Sequence, residues 1–451
     1  MHRVSVNLSG LALRRWLSCR QPASLALVAL AGGALLGCRE TATSPEGGTG
    51  APSAIRAAPP TATGFGTETV LSTTSTGNGW EPAVAADPVA PYVYVAWMQS
   101  YGTKSRITYR VSADGGANWG APKLICGSCG GQSQYDVVLA TTSQGAVDAV
   151  WMRQSRIIFS KSVDHGATWS TPLTVSGGTW GDKPWLATSA NGQDVYVAWT
   201  TRGNLFAAVS HNGGNSFTVP LQLTFEDRSY YFANGGAVLP NGTALVVAAG
   251  YPGQGNTNKP TGPVLISVLR TTNGGTAWTR TDPDLVYTGV SYATSSVATM
   301  ASGGSGSLLL AYSGSTAVGA SGRVWVRRST NSGATWTPKV EMTTSTGGAD
   351  ATSVAAVGRG NGDFRISWMD ARTGGWNVWA RQSSDGGLTW TNDIQVSNTT
   401  SGRPYKTAVG FGLPYGDYHM VTINSSGKTV VVMGEGDATQ SNGDIWINRQ
   451  P

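Results

Sequence analysis

The chain has 451 residues, enough for one large repeat domain or two ordinary ones, and only 12% of them are charged. Its 61 glycines and 17 tryptophans, among abundant serine and threonine, suit an exported all-β protein and argue against a helical, charge-rich one. The formal charge of +6 resides mostly in Arg3, Arg14, Arg15 and Arg20; beyond them 27 bases face 25 acids, so no nucleic-acid partner is expected.

The first element is an apolar run, Leu25 to Leu36, preceded by arginines and too short to span a bilayer comfortably. It ends in Leu35-Leu36-Gly37-Cys38, which resembles the bacterial lipobox. Residues 1–37 therefore read as a lipoprotein signal peptide, with Cys38 as the lipidated residue of an exported protein held at a membrane, periplasmic or on the cell surface. The alternative is a plain signal peptide with an incidental cysteine. Residues 38–64 are rich in Thr, Ser, Pro, Gly and Ala without apolar periodicity, as a flexible tether would be. Residues 65–451 form the expected folded domain.

Cys126 and Cys129 stand in Cys-Gly-Ser-Cys. A second cysteine pair that would complete a zinc site is missing, and no βαβ pattern frames a redox motif, so a small loop disulfide is the better reading.

One motif recurs six times: Ser112-Ala-Asp114-Gly-Gly116, Ser162-Val-Asp164-His-Gly166, Ser210-His-Asn212-Gly-Gly214, Thr271-Thr-Asn273-Gly-Gly275, Ser329-Thr-Asn331-Ser-Gly333 and Ser383-Ser-Asp385-Gly-Gly387. Each ends three residues later in Trp or Phe, and the steps between Asp/Asn positions are 50, 48, 61, 58 and 54 residues. A period of this size signals a propeller or solenoid. Asp or Asn folds its side chain onto nearby amides, the Gly two positions on supplies positive φ, and the aromatic anchors the turn. A strand such as Arg106–Arg110 precedes each turn. Upstream lie a second strand ending in Trp or an equivalent, such as Val93–Trp97, and an innermost one, such as Pro82–Ala86. After the sixth turn, Asp417–Ile423, Thr429–Met433 and Asp444–Asn448 supply three strands of a seventh blade. Glu68–Ser72 is expected to complete it and close the ring. The fold class is therefore all-β, a seven-bladed β-propeller of four-stranded antiparallel blades.

The six turns resemble the Asp-box, or BNR repeat, of the sialidase superfamily. That resemblance implies that the box acids are structural and that any active site lies on the opposite face. It also implies a sialidase-like glycan-active propeller, an exo-glycosidase of exo-alpha-sialidase type; the alternative is a non-catalytic glycan- or protein-binding envelope propeller. Two residues past the Trp position the blades carry Gln99, Arg153, Thr201, Tyr251, Gly314, Asp370 and Glu435, and this variation marks a candidate recognition ring. Asp370, Glu435, Asp417 and Tyr418 form the densest group of potential acid, base and nucleophile, as glycoside hydrolysis requires. Arg153, Arg202 and Arg372 could clamp a carboxylate. Trp80, Glu81, Tyr135, Lys183, Trp185, Tyr251 and His419 are the remaining candidate ligand contacts. Tyr418, His419 and Lys406 would instead suit a polysaccharide lyase. The early Arg-Ile-Pro of sialidases has no counterpart at the start of the repeats; Phe364-Arg365-Ile366-Ser367 reads as an ordinary strand. No cofactor or catalytic metal is expected, a structural Ca²⁺ is not indicated, and the protein is expected to be a monomer with a glycan ligand.

Overall fold

The computed structural model describes residues 64–72, 79–129, 131–178, 180–224, 228–252, 263–289, 297–360, 362–397, 419–435 and 444–451, the side chain of Glu435 excepted. The chain divides into two units, residues 1–57 and 58–451, and every described residue belongs to the second. The expected signal peptide, Cys38 and the tether up to residue 63 lie outside the described residues.

The second unit is a ring of seven four-stranded antiparallel sheets. Blade 1 comprises Gly79–Ala86, Val93–Tyr101, Lys104–Ser112 and Lys123–Leu124, from the axis outwards, and blades 2 to 6 repeat the plan. Each second strand is packed on both faces by neighbouring blades, so it reads as a continuous apolar run instead of an alternating one; all seven residues of Val195–Thr201 are buried. Trp97, Trp151, Trp199 and Trp368 occupy equivalent places on these strands and are fully buried.

The recurring turns fold as their chemistry dictates. In the first, Ser112 donates to Asp114 (2.7 Å) while its oxygen accepts from the Gly116 N–H (2.8 Å), and Asp114 accepts from the Asn118 N–H (2.8 Å). Asn does the same work in the third turn, where Asn212 accepts from the Ser216 N–H at 3.0 Å. The final Gly is required twice over. Gly214 has φ +84°, and a Cβ there would lie 2.3 Å from Phe159 of the preceding blade. These turns therefore pin each blade to the one before it.

Blade 7 joins both ends of the domain. Thr69–Val70 pairs antiparallel with Asp444–Arg449, aligning Thr69 with Ile447 and Val70 with Trp446. Ser72 donates to Asp444 (2.9 Å) and accepts from the Ile445 N–H (2.9 Å), and Leu71 is buried between blades 7 and 1. The closing strand is thus found where the repeat count placed it. Blade 4 departs from the pattern of short outer strands: Thr279–Tyr287 spans nine residues. It reaches blade 5 through Asp284, which accepts from Tyr312 (2.5 Å) and pairs with Arg327 and Lys339. Phe364–Ser367 lies within the strand Asp363–Asp370, as the sequence indicates.

Candidate functional site

The inner strands of all seven blades wall a central cavity of about 680 Å³. Its rim is shaped by one repeated irregularity. In blades 1, 2, 3 and 6 the inner strand slips register near its start, between Trp80 and Ala83, Tyr135 and Val138, Asp182 and Trp185, and Thr352 and Val354. The extra residue takes positive φ in each: Glu81 (54°), Asp136 (54°), Lys183 (49°) and Ser353 (46°). A bulge re-aims a side chain, and left-handed backbone at residues other than Gly persists only where the surroundings enforce it. Glu81, Asp136 and Lys183 all line the cavity.

These groups form one network. Glu81 Oε2 accepts from the Asp136 N–H at 2.8 Å, and Lys183 Nζ meets Asp136 Oδ1 at 2.7 Å. Beside them, Asp182 accepts from its neighbour's Lys183 N–H (3.0 Å) and from the Tyr230 hydroxyl of blade 4 (3.2 Å). Burial, and then the negative charge of Asp136, raise the Asp182 carboxyl above the ordinary range. Burial and Asp182 likewise push the Tyr230 phenol far upwards, so it stays a donor. The rim therefore pairs a carboxylate held by an ammonium with a carboxyl whose pKa is raised by burial. His419 begins the inner strand of blade 7 and lines the same cavity. Its Nε2 lies 3.0 Å from Ser367 Oγ, and burial pulls its pKa down to about 4, leaving it neutral at pH 7.

The expected recognition ring has a different role in three of its blades. Trp97 donates its indole N–H to Gln99 (2.9 Å), Trp199 to Thr201 (3.0 Å) and Trp368 to Asp370 (2.8 Å). Side chains that look unlike one another share one property, an oxygen acceptor for a buried donor. Arg153 has no acceptor, and Trp151 Nε1 is left without a partner. Asp370 is fully buried, held also by Arg372 Nε (2.9 Å) and Nη2 (2.5 Å). Its oxygens are turned inward to the blade, which corrects its placement among acid/base groups facing a ligand.

The arginines do not converge. Arg372 is committed to Asp370 and Asp393 and stacks over Trp379, its guanidinium 4.0 Å from the ring centre. Arg153 donates to Cys129 Sγ (3.2 Å), the sulfur bonded to Cys126 in the loop disulfide. Arg202 occupies an exposed hairpin turn with φ 48°. Among the aromatic candidates, Trp185 lines the cavity, Tyr251 is buried edge-on to Phe232, and Trp80 and Tyr135 pack between blades 1 and 2. Glu435 ends the second strand of blade 7, while its side chain, Asp417 and Tyr418 lie outside the described residues. Among the described residues no group of three His, Cys, Asp or Glu is arranged to hold a metal ion. Two polar residues at this site escape a reading by repeats, Tyr230 and Asn234. The signal for the second is Asn234-Gly235-Gly236 inside a strand, which marks a bulge.

No family model matches the chain, and no curated protein matches it. Among solved structures it is similar to the Hadza microbial sialidase Hz136 (14% identity, 79% of this chain and 76% of that one, TM-score 0.43). It is also similar to a Dyadobacter fermentans protein of unknown function (15% identity, 85% and 97%, TM-score 0.48) and to a PL25 ulvan lyase (14% identity, 82% and 94%, TM-score 0.44). These are likenesses of architecture, and the chemistry is argued from the residues alone.

Proposed function

We propose that this is an exported, lipid-anchored Asp-box propeller that acts on glycans, hydrolysing terminal sugars as an exo-glycosidase of the sialidase-like type. One observation carries the reading: the bulged inner strands bring Asp136, ion-paired with Lys183, and Asp182, whose carboxyl is raised by burial, to one rim. Glycoside hydrolysis needs a carboxyl that donates a proton to the leaving oxygen and a second that acts as base or nucleophile. Asp182, steadied by Tyr230, has the character of the donor, and Asp136, held by Lys183, that of the second group. Glu435, Asp417 and Tyr418 of blade 7 belong to the proposal as further acid/base and nucleophile candidates. Asp370 does not, and with Arg372 committed the proposal contains no three-arginine clamp.

The pairing of Asp136 with Lys183 favours a second reading, a non-catalytic envelope propeller that holds a glycan or protein at this face. Fluorogenic glycosides, sialosides among them, presented to the leaderless protein separate the two. The hydrolase reading expects turnover that falls at least a hundredfold in Asp182→Asn and Asp136→Asn, the usual worth of acid–base groups. Turnover surviving both, and Glu435→Gln and Asp417→Asn as well, removes the assignment. Glycan-array binding without turnover selects the second reading.

A further inference from the structure

Around the channel, three polar atoms of lining residues have no hydrogen-bond partner among the described residues: Asn234 Nδ2, Trp185 Nε1 and His419 Nδ1. Buried polar atoms are almost always satisfied, so open atoms on the inner strands of blades 3, 4 and 7, on opposite sides of one channel, point to partners supplied from within it. His419 is only 2% exposed. Its ring is fixed by Ser367 and neutral, so Nδ1 offers the cavity a single uncharged hydrogen bond.

Much of the remaining wall is apolar, beside the carboxylates Glu81, Asp136 and Asp194. Val84, Val138, Val354 and Ala355 face the cavity alongside the Trp185 ring. The glycine after the Asn234 bulge brings blade 4 close to that ring, since a Cβ on Gly236 would come within 3.3 Å of Trp185 Nε1. Among the described residues, the lysine lining the cavity, Lys183, is paired with Asp136. Arg359, which lines it too, is occupied by the Asn424 and Ser425 carbonyls. The described wall thus offers neutral hydrogen bonds, apolar surface and carboxylates, which would repel an acidic sugar, and its cations are engaged.

We propose that the channel is an end-on seat for one uncharged sugar unit, its hydroxyls meeting Asn234 and His419 and its C–H face lying on Trp185. This rests on the glycan reading above and adds a substrate class to it: a chain terminating in a neutral sugar in preference to a carboxylated one. A volume of about 680 Å³ falls within the ordinary range for small-molecule sites. Ordered water could fill the same positions, and the test includes that outcome.

The probes are methyl glycosides of neutral hexoses and N-acetylhexosamines, set against methyl glycosides of a uronic acid and of sialic acid, titrated calorimetrically into the leaderless protein. The seat predicts that neutral probes bind more tightly than carboxylated ones. It also predicts that Asn234→Ala weakens them about tenfold, near the worth of a neutral hydrogen bond to a desolvated partner. Trp185→Phe, which keeps a ring but removes the N–H, should weaken them several-fold, with far-ultraviolet dichroism and the melting temperature unchanged as the check on folding. Tighter binding of carboxylated probes, or neutral binding indifferent to both substitutions, overturns the seat and leaves the glycan reading standing. No affinity for any small glycoside, with longer glycans still bound or cleaved, shows a water-filled channel and also overturns it. No glycan of any length bound or cleaved overturns the reading on which it rests.

Discussion

Replacing Asp370 distinguishes a structural carboxylate from a catalytic one, because two substitutions remove different parts of its role. Asp370→Asn keeps an oxygen for the Trp368 indole but discards the charge that meets Arg372. Asp370→Ala discards both. An orphaned buried donor costs about 1–3 kcal/mol. Breaking a buried ion pair costs about 3–5 kcal/mol, but Arg372 retains Asp393 and the Trp379 face, so the lower end applies. The asparagine variant should therefore lose about 3 kcal/mol in urea denaturation and the alanine variant about 4–6 kcal/mol. Glycoside turnover per folded molecule should stay within a few-fold of wild type for Asp370→Asn. The reverse substitution tests the same logic in blade 2: Arg153→Gln gives the unpartnered Trp151 N–H an acceptor and should stabilise by about 1 kcal/mol. An asparagine variant that abolishes turnover at unchanged stability refutes the structural assignment, as does an alanine variant costing less than about 1 kcal/mol.

Leu71→Ala removes a side chain enclosed between blades 7 and 1 and should cost about 2–5 kcal/mol, measured by chemical denaturation. A cost below about 1 kcal/mol would mean that the closing strand contributes little to the ring. The Asp turns predict an acid dependence. The Asn118 N–H holds Asp114 at about 2, and the Thr168 and Thr389 hydroxyls hold Asp164 and Asp385 at about 2. Since these lie below the roughly 3.9 of an unfolded aspartate, their stabilisation is complete above that value and is lost as pH falls towards about 2. The triple variant Asp114→Asn, Asp164→Asn, Asp385→Asn should show a flatter melting temperature across that window, and an unchanged slope would contradict it.

The architecture was legible because its signal is local. An Asp or Asn with a Gly two residues on constrains one turn wherever it stands, so counting turns and leftover strands counted blades and located the closing strand. The candidate site was legible only in part. Glu81, Lys183, Trp185 and His419, read as candidate contacts from inner-strand entries, line the cavity, while Trp80 and Tyr135, read on the same ground, pack between blades 1 and 2. Asp370 was misread because Gln99, Thr201 and Asp370 differ in identity while sharing an acceptor; the Trp two residues earlier was the available clue. The bulges that aim Glu81, Asp136 and Lys183 inward arise from pairing with the next strand, a non-local relation that a single strand's pattern does not encode. The same holds for Tyr230, whose importance comes from Asp182 on another blade.

The closing blade sets an order of events for the chain. Thr69 and Ile447 are neighbours in space but 378 positions apart in sequence. The first described strand made during synthesis must wait for nearly the last before it has a partner, exposing an unpaired edge throughout. Once made, the junction behaves as a clasp: the ring cannot open at that point without parting the first described strand from the last. A circularly permuted chain, with its ends moved to one of the exposed turns and the old ends joined, would shift the clasp to a different blade while keeping the same circle.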